Sequence, residues 1–383
     1  MSGARAALPT DFESLWQAWL LVQRKKACAG ADGVSVEQFR DGARSRIHAL
    51  SHKLSAGKYT PYPLKQFVVP KPDGGTRTLT VPTVLDRIVQ RAALTALEPF
   101  LEASFLSSSY AYRTGRSVKQ AVLAVSALRA EGYQWVVHID VKDCFDSIDW
   151  QVLFSRLTAF ADPRLRLLIK KWLSAPRIGT AVSYPVKGLP QGGVLSPALC
   201  NLVLNDFDLA MHRAGIPEVR YADDCLLFAK SERESRAILL VAADALRQVK
   251  LELNTHKSEI VTFDGGFRFL GTLFVKSIVL PCIKIKTDEG KTRYVSGYPG
   301  GRRARGRPAK IRVKRSRGHI YVTGNMSRRD LERAVTRAVA AETQGRSSAL
   351  GRALMEAWKK ELSRVSDAFP VGARPCGAVA LLE

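Results

Sequence analysis

Apolar positions in residues 12 to 57 recur at helical spacing, as in Phe12, Leu15, Trp16, Trp19 and Leu20 and again in Phe39, Ile47, Leu50 and Leu54. Gly30-Ala31-Asp32-Gly33 supplies a turn between the two runs. This pattern predicts a helical N-terminal extension over 1–60. The period then changes: Phe67-Val68-Val69-Pro70 and Thr76-Arg77-Thr78-Leu79-Thr80-Val81 flank a Gly-containing turn, which predicts a basic hairpin. Helical periodicity returns from Asp86 to Phe105 and from Val118 to Ala130. Trp135-Val136-Val137-His138-Ile139 is an apolar strand closed by Asp140. A helical stretch is expected near 151–173, and helices at 198–214 and 232–248, with the turn-rich Gly188 to Pro197 ahead of the second. Val219 to Phe228 has the pattern of strand, tight acidic turn and strand, and the apolar run around Phe269-Leu270-Gly271 completes an α/β (α+β) core.

Composition shifts after about residue 283, where the segment up to Arg317 is crowded with Lys and Arg and opposed only by Asp288 and Glu289. It is too basic and Gly-rich to build much core, so a mobile or hairpin arm lying on phosphate backbone is expected over 276–326, with Arg302, Arg303, Arg305 and Arg307 as its nucleic-acid contacts. Arg305-Gly306-Arg307-Pro308 is similar to an A-T hook core, although four residues are weak evidence and general RNA or DNA backbone binding fits the segment better. An amphipathic pattern through Leu331, Val335, Leu350, Leu354, Trp358 and Leu362 predicts a helical C-terminal domain over 327–383.

The charge of the whole chain agrees with this division. Its 59 Lys and Arg against 35 Asp and Glu give a formal charge of +24, which attracts a polyanion. No apolar run is long enough to span a bilayer, and the N-terminus mixes Arg5, Asp11 and Glu13 among its apolar positions, so neither a membrane span nor a signal peptide is expected. Six scattered cysteines form no C-x-x-C pair, which argues against a zinc ribbon or a disulfide framework and fits the cytoplasm.

The acidic residues carry the candidate chemistry. Nucleotidyl transfer needs an activated hydroxyl and a stabilised pyrophosphate, a task for two divalent cations roughly 4 Å apart. Hard cations take carboxylate oxygens and keep phosphate oxygens as further ligands. The chain offers carboxylates at two strand ends, Asp140 and the Asp223-Asp224 pair. Asp is common in turns, but the repulsion of two adjacent anions within apolar strands asks for a cation.

Tyr221-Ala222-Asp223-Asp224 resembles the Y-x-D-D box of reverse transcriptases. From about Ala18 to Phe274 the chain resembles the group II intron lineage of bacterial reverse transcriptases. Gly30-Ala31-Asp32-Gly33-Val34, Pro82-Thr83-x-x-Asp86-Arg87-x-x-Gln90, Ser109-Tyr110-x-Tyr112-Arg113 and Gly188-Leu189-Pro190-Gln191-Gly192-Gly193-Val194-Leu195-Ser196-Pro197 follow in the family's order. The resemblance implies a right-hand polymerase with fingers over 61–135, a palm over 136–275 and a thumb-like C-terminal domain. It implies that Asp140, Asp223 and Asp224 hold two Mg²⁺ ions, with Mn²⁺ as an alternative. Asp143 and Asp146 fall outside the matching ligand position. Lys71 and Arg77 would hold the incoming deoxynucleoside triphosphate, and Phe145 would be the aromatic gate against a 2′ hydroxyl. Gln191 and Gly192 would approach the nascent base pair, with Asn201 on the helix that follows, and Lys257 would assist the departing pyrophosphate.

An RNA-directed DNA polymerase working on an RNA template and a DNA or RNA primer is therefore expected. The Gly266-Phe267-x-Phe269-Leu270-Gly271 ending is similar to CRISPR-associated or other defence-linked members, and the front half equally to intron proteins, so CRISPR adaptation proteins and an intron RNA both stand as further partners. No Cys/His endonuclease pattern follows the helical end, which weighs against a fully mobile intron protein. Two other functions fit the same residues: a group II intron maturase that folds RNA, and an RNA-dependent RNA polymerase, for which an aromatic gate at 145 would be out of place.

Overall fold

A computed structural model describes residues 5–25, 27–70, 76–275, 278–286, 292–296, 312–316, 319–325 and 376–382. Lys71, Arg302, Arg303, Arg305, Arg307 and the expected helices of 327–366 lie outside the described residues. The chain divides into two compact units. The first draws on 1–117, 139–227 and 237–259, and the second on 118–138, 228–236 and the residues from 260 onward.

In the first unit, α1 (Phe12–Val22) starts where the Asp11 carboxylate accepts the Ser14 N–H, and buries Leu15, Ala18, Trp19 and Val22 on one stripe. It packs on α3 (Ala43–Ser55) and α4 (Val84–Ser104), while the short α2 (Val36–Arg40) begins with a capping box between Ser35 and Gln38. The predicted hairpin is present: β1 (Leu64–Pro70) and β2 (Thr76–Val81) pair antiparallel from Lys65↔Val81 to Pro70↔Thr76. The short strands Arg177–Ile178 and Val182–Ser183 extend it to a four-stranded sheet.

The helix expected near 151–173 is two helices. Trp150–Phe160 ends before Ala161, and Pro163–Leu173 starts afresh, capped by the Asp162 carboxylate on the Leu165 N–H. The apolar period continues across the break, but Pro163 has no N–H for the preceding turn and is suited to a first helical position. Ser196–Arg213 is the central helix of the unit. It buries Leu199, Leu202, Val203, Phe207 and Met211, and with them the polar Asn201, Asn205 and Asp208.

A second four-stranded sheet has the order Glu218–Tyr221, Asp224–Ala229, Trp135–Asp140, Glu259–Thr262. In the second unit, Phe267–Phe269 and Thr272–Val275 form a tight hairpin whose two loop residues, Leu270 and Gly271, both take positive φ, at 50° and 71°. Phe263, Phe267 and Phe274 pack their rings together beneath it. The basic segment contributes two further hairpins, Ile278–Lys286 with Thr292–Ser296 and Arg312–Ser316 with His319–Asn325. Cys376–Leu382, within the stretch expected to be helical, is a strand paired with His319–Asn325. Its apolar run offers no polar face for a surface helix, and Gly377 is a weak helix former.

Two buried ionic groups set the stability of the first unit. Asp86 is 1% exposed and accepts from the Tyr59 hydroxyl, from Thr83 Oγ1 at 2.8 Å and from the Tyr62 N–H at 3.2 Å. Burial outweighs these bonds and pushes its pKa up to about 6. Arg220, 1% exposed, forks onto Asp208 through Nε and Nη2, each at 2.6 Å. Burial disfavours the charged guanidinium, and the adjacent Asp208 carboxylate more than offsets it, so the pKa of Arg220 is raised.

Because the folded pKa of Asp86 lies above its ordinary value of 3.8, its protonated form stabilises the fold fully below pH 3.8, and that contribution is lost as pH rises through about 6. Relative to Asp86→Asn, the parent should lose about 3 kcal/mol of unfolding free energy across this window, read from urea unfolding at successive pH values. Arg220→Ala, which strands the Asp208 carboxylate, should cost about 3–5 kcal/mol. Arg236→Ala, whose ion pair with Glu232 is exposed on both sides, should cost much less in the same assay.

Candidate active site

The acidic turn is built by register. Tyr221 pairs with Asp224, so only Ala222 and Asp223 form the loop of a two-residue hairpin. Ala222 takes φ 62°, a left-handed conformation unfavourable for a residue with a Cβ. The Arg220 side chain holds it there: Nη1 donates to the Ala222 carbonyl at 3.0 Å and to Asn201 Oδ1 at 2.9 Å, and Nη2 donates to Ser109 Oγ at 2.8 Å. The backbone repeats the link, with Arg220 N–H on the Ser108 carbonyl and Tyr110 N–H on the Arg220 carbonyl, both at 2.9 Å. Asn201, expected on the helix after the turn-rich motif, is there, buried, and also donates to the Ala111 carbonyl at 2.8 Å.

Asp140 ends its strand beside the strand that Asp224 begins. The half-buried Asp223 carboxyl has its pKa raised by burial first, then by the charges of Asp140 and Asp224, while Arg77 opposes the shift. A divalent cation among these carboxylates would relieve that repulsion, so the donor set suits Mg²⁺. Among the described residues no group of three His, Cys, Asp or Glu side chains is arranged to hold a metal ion by itself. An ion that takes water and phosphate oxygens as its remaining ligands needs none.

Two more expected residues belong to this neighbourhood. Arg77, exposed on the hairpin opposite Val69, partly opposes the upward pKa shifts of Asp223 and of the Tyr112 phenol. Phe145 is half-buried in the short helix Cys144–Ser147, and its carbonyl accepts the Leu189 N–H at 2.6 Å, which ties it to the turn-rich motif. Lys257 is exposed on a turn bound to the end of the Asp140 strand: Lys142 N–H donates to the Glu252 carbonyl at 2.9 Å, and Val141 bridges Leu253.

Gly192 meets a structural requirement of its own. It takes φ 114°, and a Cβ there would collide with the Thr80 carbonyl oxygen. Thr80 in turn donates its N–H to the Gln191 carbonyl at 2.7 Å. The close backbone approach permitted by the missing side chain is thus made to the protein's own hairpin. Gln191 Nε2 donates to Asp146 Oδ2 at 2.8 Å, so Asp146, outside the ligand position, orients Gln191.

Tyr112 had no assigned role in the sequence. It lies in the Ser109-Tyr110-x-Tyr112-Arg113 motif, takes φ 60° and is 54% exposed. Its phenol pKa is raised by burial and then by Asp223. Strained aromatic backbone beside carboxylates is a mark of functional sites, visible only once φ is known.

The family model described as reverse transcriptase (RNA-dependent DNA polymerase) matches residues 69–274. Protein YkfC of Escherichia coli K12 is 29% identical over 311 residues, covering 70% of this chain and 80% of its own. The group II intron-encoded protein LtrA of Lactococcus lactis is 32% identical over 181 residues, 46% of this chain and 29% of LtrA. A chain of a solved partial Cas6-RT-Cas1–Cas2 complex is 28% identical, with a TM-score of 0.37, over 62% of this chain and 40% of that one. The chain thus spans most of YkfC but less than half of the other two. Among the described residues no helix is long and apolar enough to cross a membrane.

The two turn residues should respond oppositely to substitution. Gly192→Ala meets both a forbidden φ and the Thr80 carbonyl, and should lower stability by at least about 2 kcal/mol. Ala222→Gly removes a left-handed alanine and should raise the melting temperature or leave it unchanged. Thermal unfolding of the two variants beside the parent checks both.

Proposed function

Because this chain belongs to the reverse transcriptase (RNA-dependent DNA polymerase) family, we propose that it extends a DNA strand on an RNA template, with Asp140, Asp223 and Asp224 as the carboxylates that bind two Mg²⁺ ions. The observation that carries this assignment is the placement of the three carboxylates: Asp140 ends the strand beside the one that Asp224 begins, and Asp223 lies in the two-residue turn ahead of it, where burial and the charges of Asp140 and Asp224 raise its pKa. Mg²⁺, or Mn²⁺ in its stead, supplies activation of the primer hydroxyl and stabilisation of the pyrophosphate.

The protein's own groups do the remaining work. Arg77, opposite in charge to the triphosphate and electrostatically coupled to Asp223, holds the incoming deoxynucleotide with Lys71. Phe145 packs against its sugar and excludes a 2′ hydroxyl. Gln191, oriented by Asp146, faces the nascent pair across the turn that Gly192 allows. Lys257 neutralises the departing pyrophosphate. In this reading 61–135 are fingers, 136–275 palm and 327–383 a thumb-like domain behind the N-terminal extension of 1–60. The basic segment 276–326, through Arg302, Arg303, Arg305 and Arg307, tracks nucleic-acid backbone.

The setting we favour is a cytoplasmic CRISPR or other defence system with adaptation proteins as partners, on the likeness of the Gly266–Gly271 ending to such members. The 32% identity to an intron-encoded protein supports a second reading, in which the chain folds an intron RNA. Splicing that survives Asp223→Ala would favour the second, since RNA folding does not need the metal site.

Primer extension on poly(rA)/oligo(dT) with dTTP and Mg²⁺ tests the proposal. The parent should extend, and the Asp223→Ala, Asp224→Ala double variant should not; equal extension by both would refute the assignment. Phe145→Ala should keep extension and raise ribonucleotide use relative to deoxynucleotide about tenfold or more, equivalent to ~1.4 kcal/mol. Unchanged discrimination would remove the gate from residue 145.

A further inference from the structure

Asp140 is gripped by a single five-residue turn that begins 114 positions later in the chain. Asn254 donates its backbone N–H to the Asp140 carbonyl at 2.8 Å, and its side-chain Nδ2 donates to Asp140 Oδ1 at 3.0 Å. Ser258 Oγ accepts the Asp140 N–H at 3.1 Å. The turn is itself closed on Asn254, whose carbonyl accepts the Lys257 N–H at 3.1 Å and the Ser258 N–H at 2.8 Å. Asn254 Oδ1 accepts the His256 N–H at 3.2 Å. That last bond fixes the amide's orientation, because the oxygen must face His256 and the nitrogen must therefore face Asp140.

Resting on the assignment of Asp140 as a metal-binding carboxylate, we propose that Asn254 is a positioning residue for it. The amide fixes Oδ1 and leaves Oδ2, which has no hydrogen-bond donor among the described residues, as the oxygen available to a cation. The chemistry of residue 254 is constrained from both sides. It must donate to a carboxylate and accept from a backbone N–H at once, which an amide does and an aliphatic side chain cannot. A Lys or Arg would donate but would neutralise the charge the cation needs. An Asp would keep the bond to His256 while turning an acceptor toward Asp140. A neutral donor orients the carboxylate and preserves its charge, the usual requirement on a group that supports a metal ligand.

A purely structural account of Asn254 is also possible, since the bond from His256 closes an Asx turn by itself. The two accounts separate in Asn254→Asp, which retains an oxygen for His256 and loses the donor to Asp140. The full chain on an RNA–DNA primer–template is compared as parent, Asn254→Ala, Asn254→Asp and Asp140→Ala. Mn²⁺ binding is read by electron paramagnetic resonance, and extension by kcat, by KM for dTTP at saturating Mg²⁺ and by the Mg²⁺ concentration giving half-maximal rate. Asn254→Ala should weaken Mn²⁺ binding and raise the half-maximal Mg²⁺ about tenfold or more, with KM for dTTP within about twofold of the parent. Asn254→Asp should lose about tenfold or more in kcat while its melting temperature stays near the parent's. Parent-like Mn²⁺ affinity in Asn254→Ala, or parent-like kcat in Asn254→Asp, overturns the proposal if Asp140→Ala has lost both. Should Asp140→Ala itself bind and extend like the parent, the assignment of Asp140 falls, and the role of Asn254 with it. If Asn254→Ala does not fold, Asn254→Asp decides by its kcat alone.

Discussion

The Arg220–Asp208 fork is the constraint on which the rest of the first unit depends. A guanidinium carries five N–H donors and cannot be discharged cheaply, so burying it obliges the fold to supply an acceptor for each. Two go to Asp208, one each to Asn201, Ala222 and Ser109, and together they draw the central helix, the segment at Ser109 and the acidic turn onto one point. Moving any of these elements would leave a buried charge without a partner. That penalty is large enough to hold Ala222 at a left-handed φ, which costs about 1–2 kcal/mol. Nearby, Glu218 is buried, accepts from Ser108 Oγ at 2.9 Å, and has its pKa raised, by burial first and by Asp208 next. The Asp223-Asp224 turn thus rests on a base of buried hydrogen bonds.

The other motif residues form a packing signature around that base. Gly30 lies so close to the start of the helix Val84–Ser104 that a Cβ there would sit 2.6 Å from Cα of its N-cap, Thr83. Thr83 caps its helix on Asp86, and Arg87 Nε donates to the Pro82 carbonyl at 2.9 Å. Gln90 accepts the Val194 N–H at 3.0 Å. Gly30-Ala31-Asp32-Gly33, Pro82 to Gln90 and Gly188 to Pro197 are far apart in sequence, yet each is fastened to the next through backbone groups that tolerate one side chain or none. The same residues that mark the family in the sequence therefore fix the spacing between the basic hairpin and the carboxylates. Arg77 acts electrostatically on Asp223 because this chain of contacts fixes the root of its strand.

How much could be read from the sequence follows from the range of the forces involved. The hairpin at 64–81, the strand closed by Asp140 and the two-residue acidic turn rest on alternation and turn chemistry within a few residues, and all three are present. The break at Asp162-Pro163 was equally local, but it is masked by an apolar period that continues across it. Gly192 was singled out for a close backbone approach, and the one the structure shows is to the Thr80 carbonyl: a missing side chain announces such an approach without saying to what. Arg220 sits in the four-residue strand Glu218–Tyr221, where nothing nearby reveals that its partners Asp208, Asn201 and Ser109 lie 12, 19 and 111 residues earlier in the chain.

The same limit explains why Asn254 was passed over although it stands in the segment that supplied Lys257. A carboxylate at the end of an inner strand has neighbours on both flanks, and in a sheet whose order is not the order of the chain those neighbours come from distant sequence. Asp223 and Asp224 approach Asp140 from one flank, and the turn holding Asn254 and Ser258 fastens to its backbone. Sequence pattern can identify the groups whose charge is unusual for their surroundings, and here it identified three. The neutral groups that orient them carry no such mark, because an Asn in a turn is ordinary until its partner is seen. Orientation is nonetheless what turns three repelling carboxylates into a binding site, since each must offer a defined oxygen to a shared point. The candidate carboxylates were legible from their charge, and their supports only from the fold.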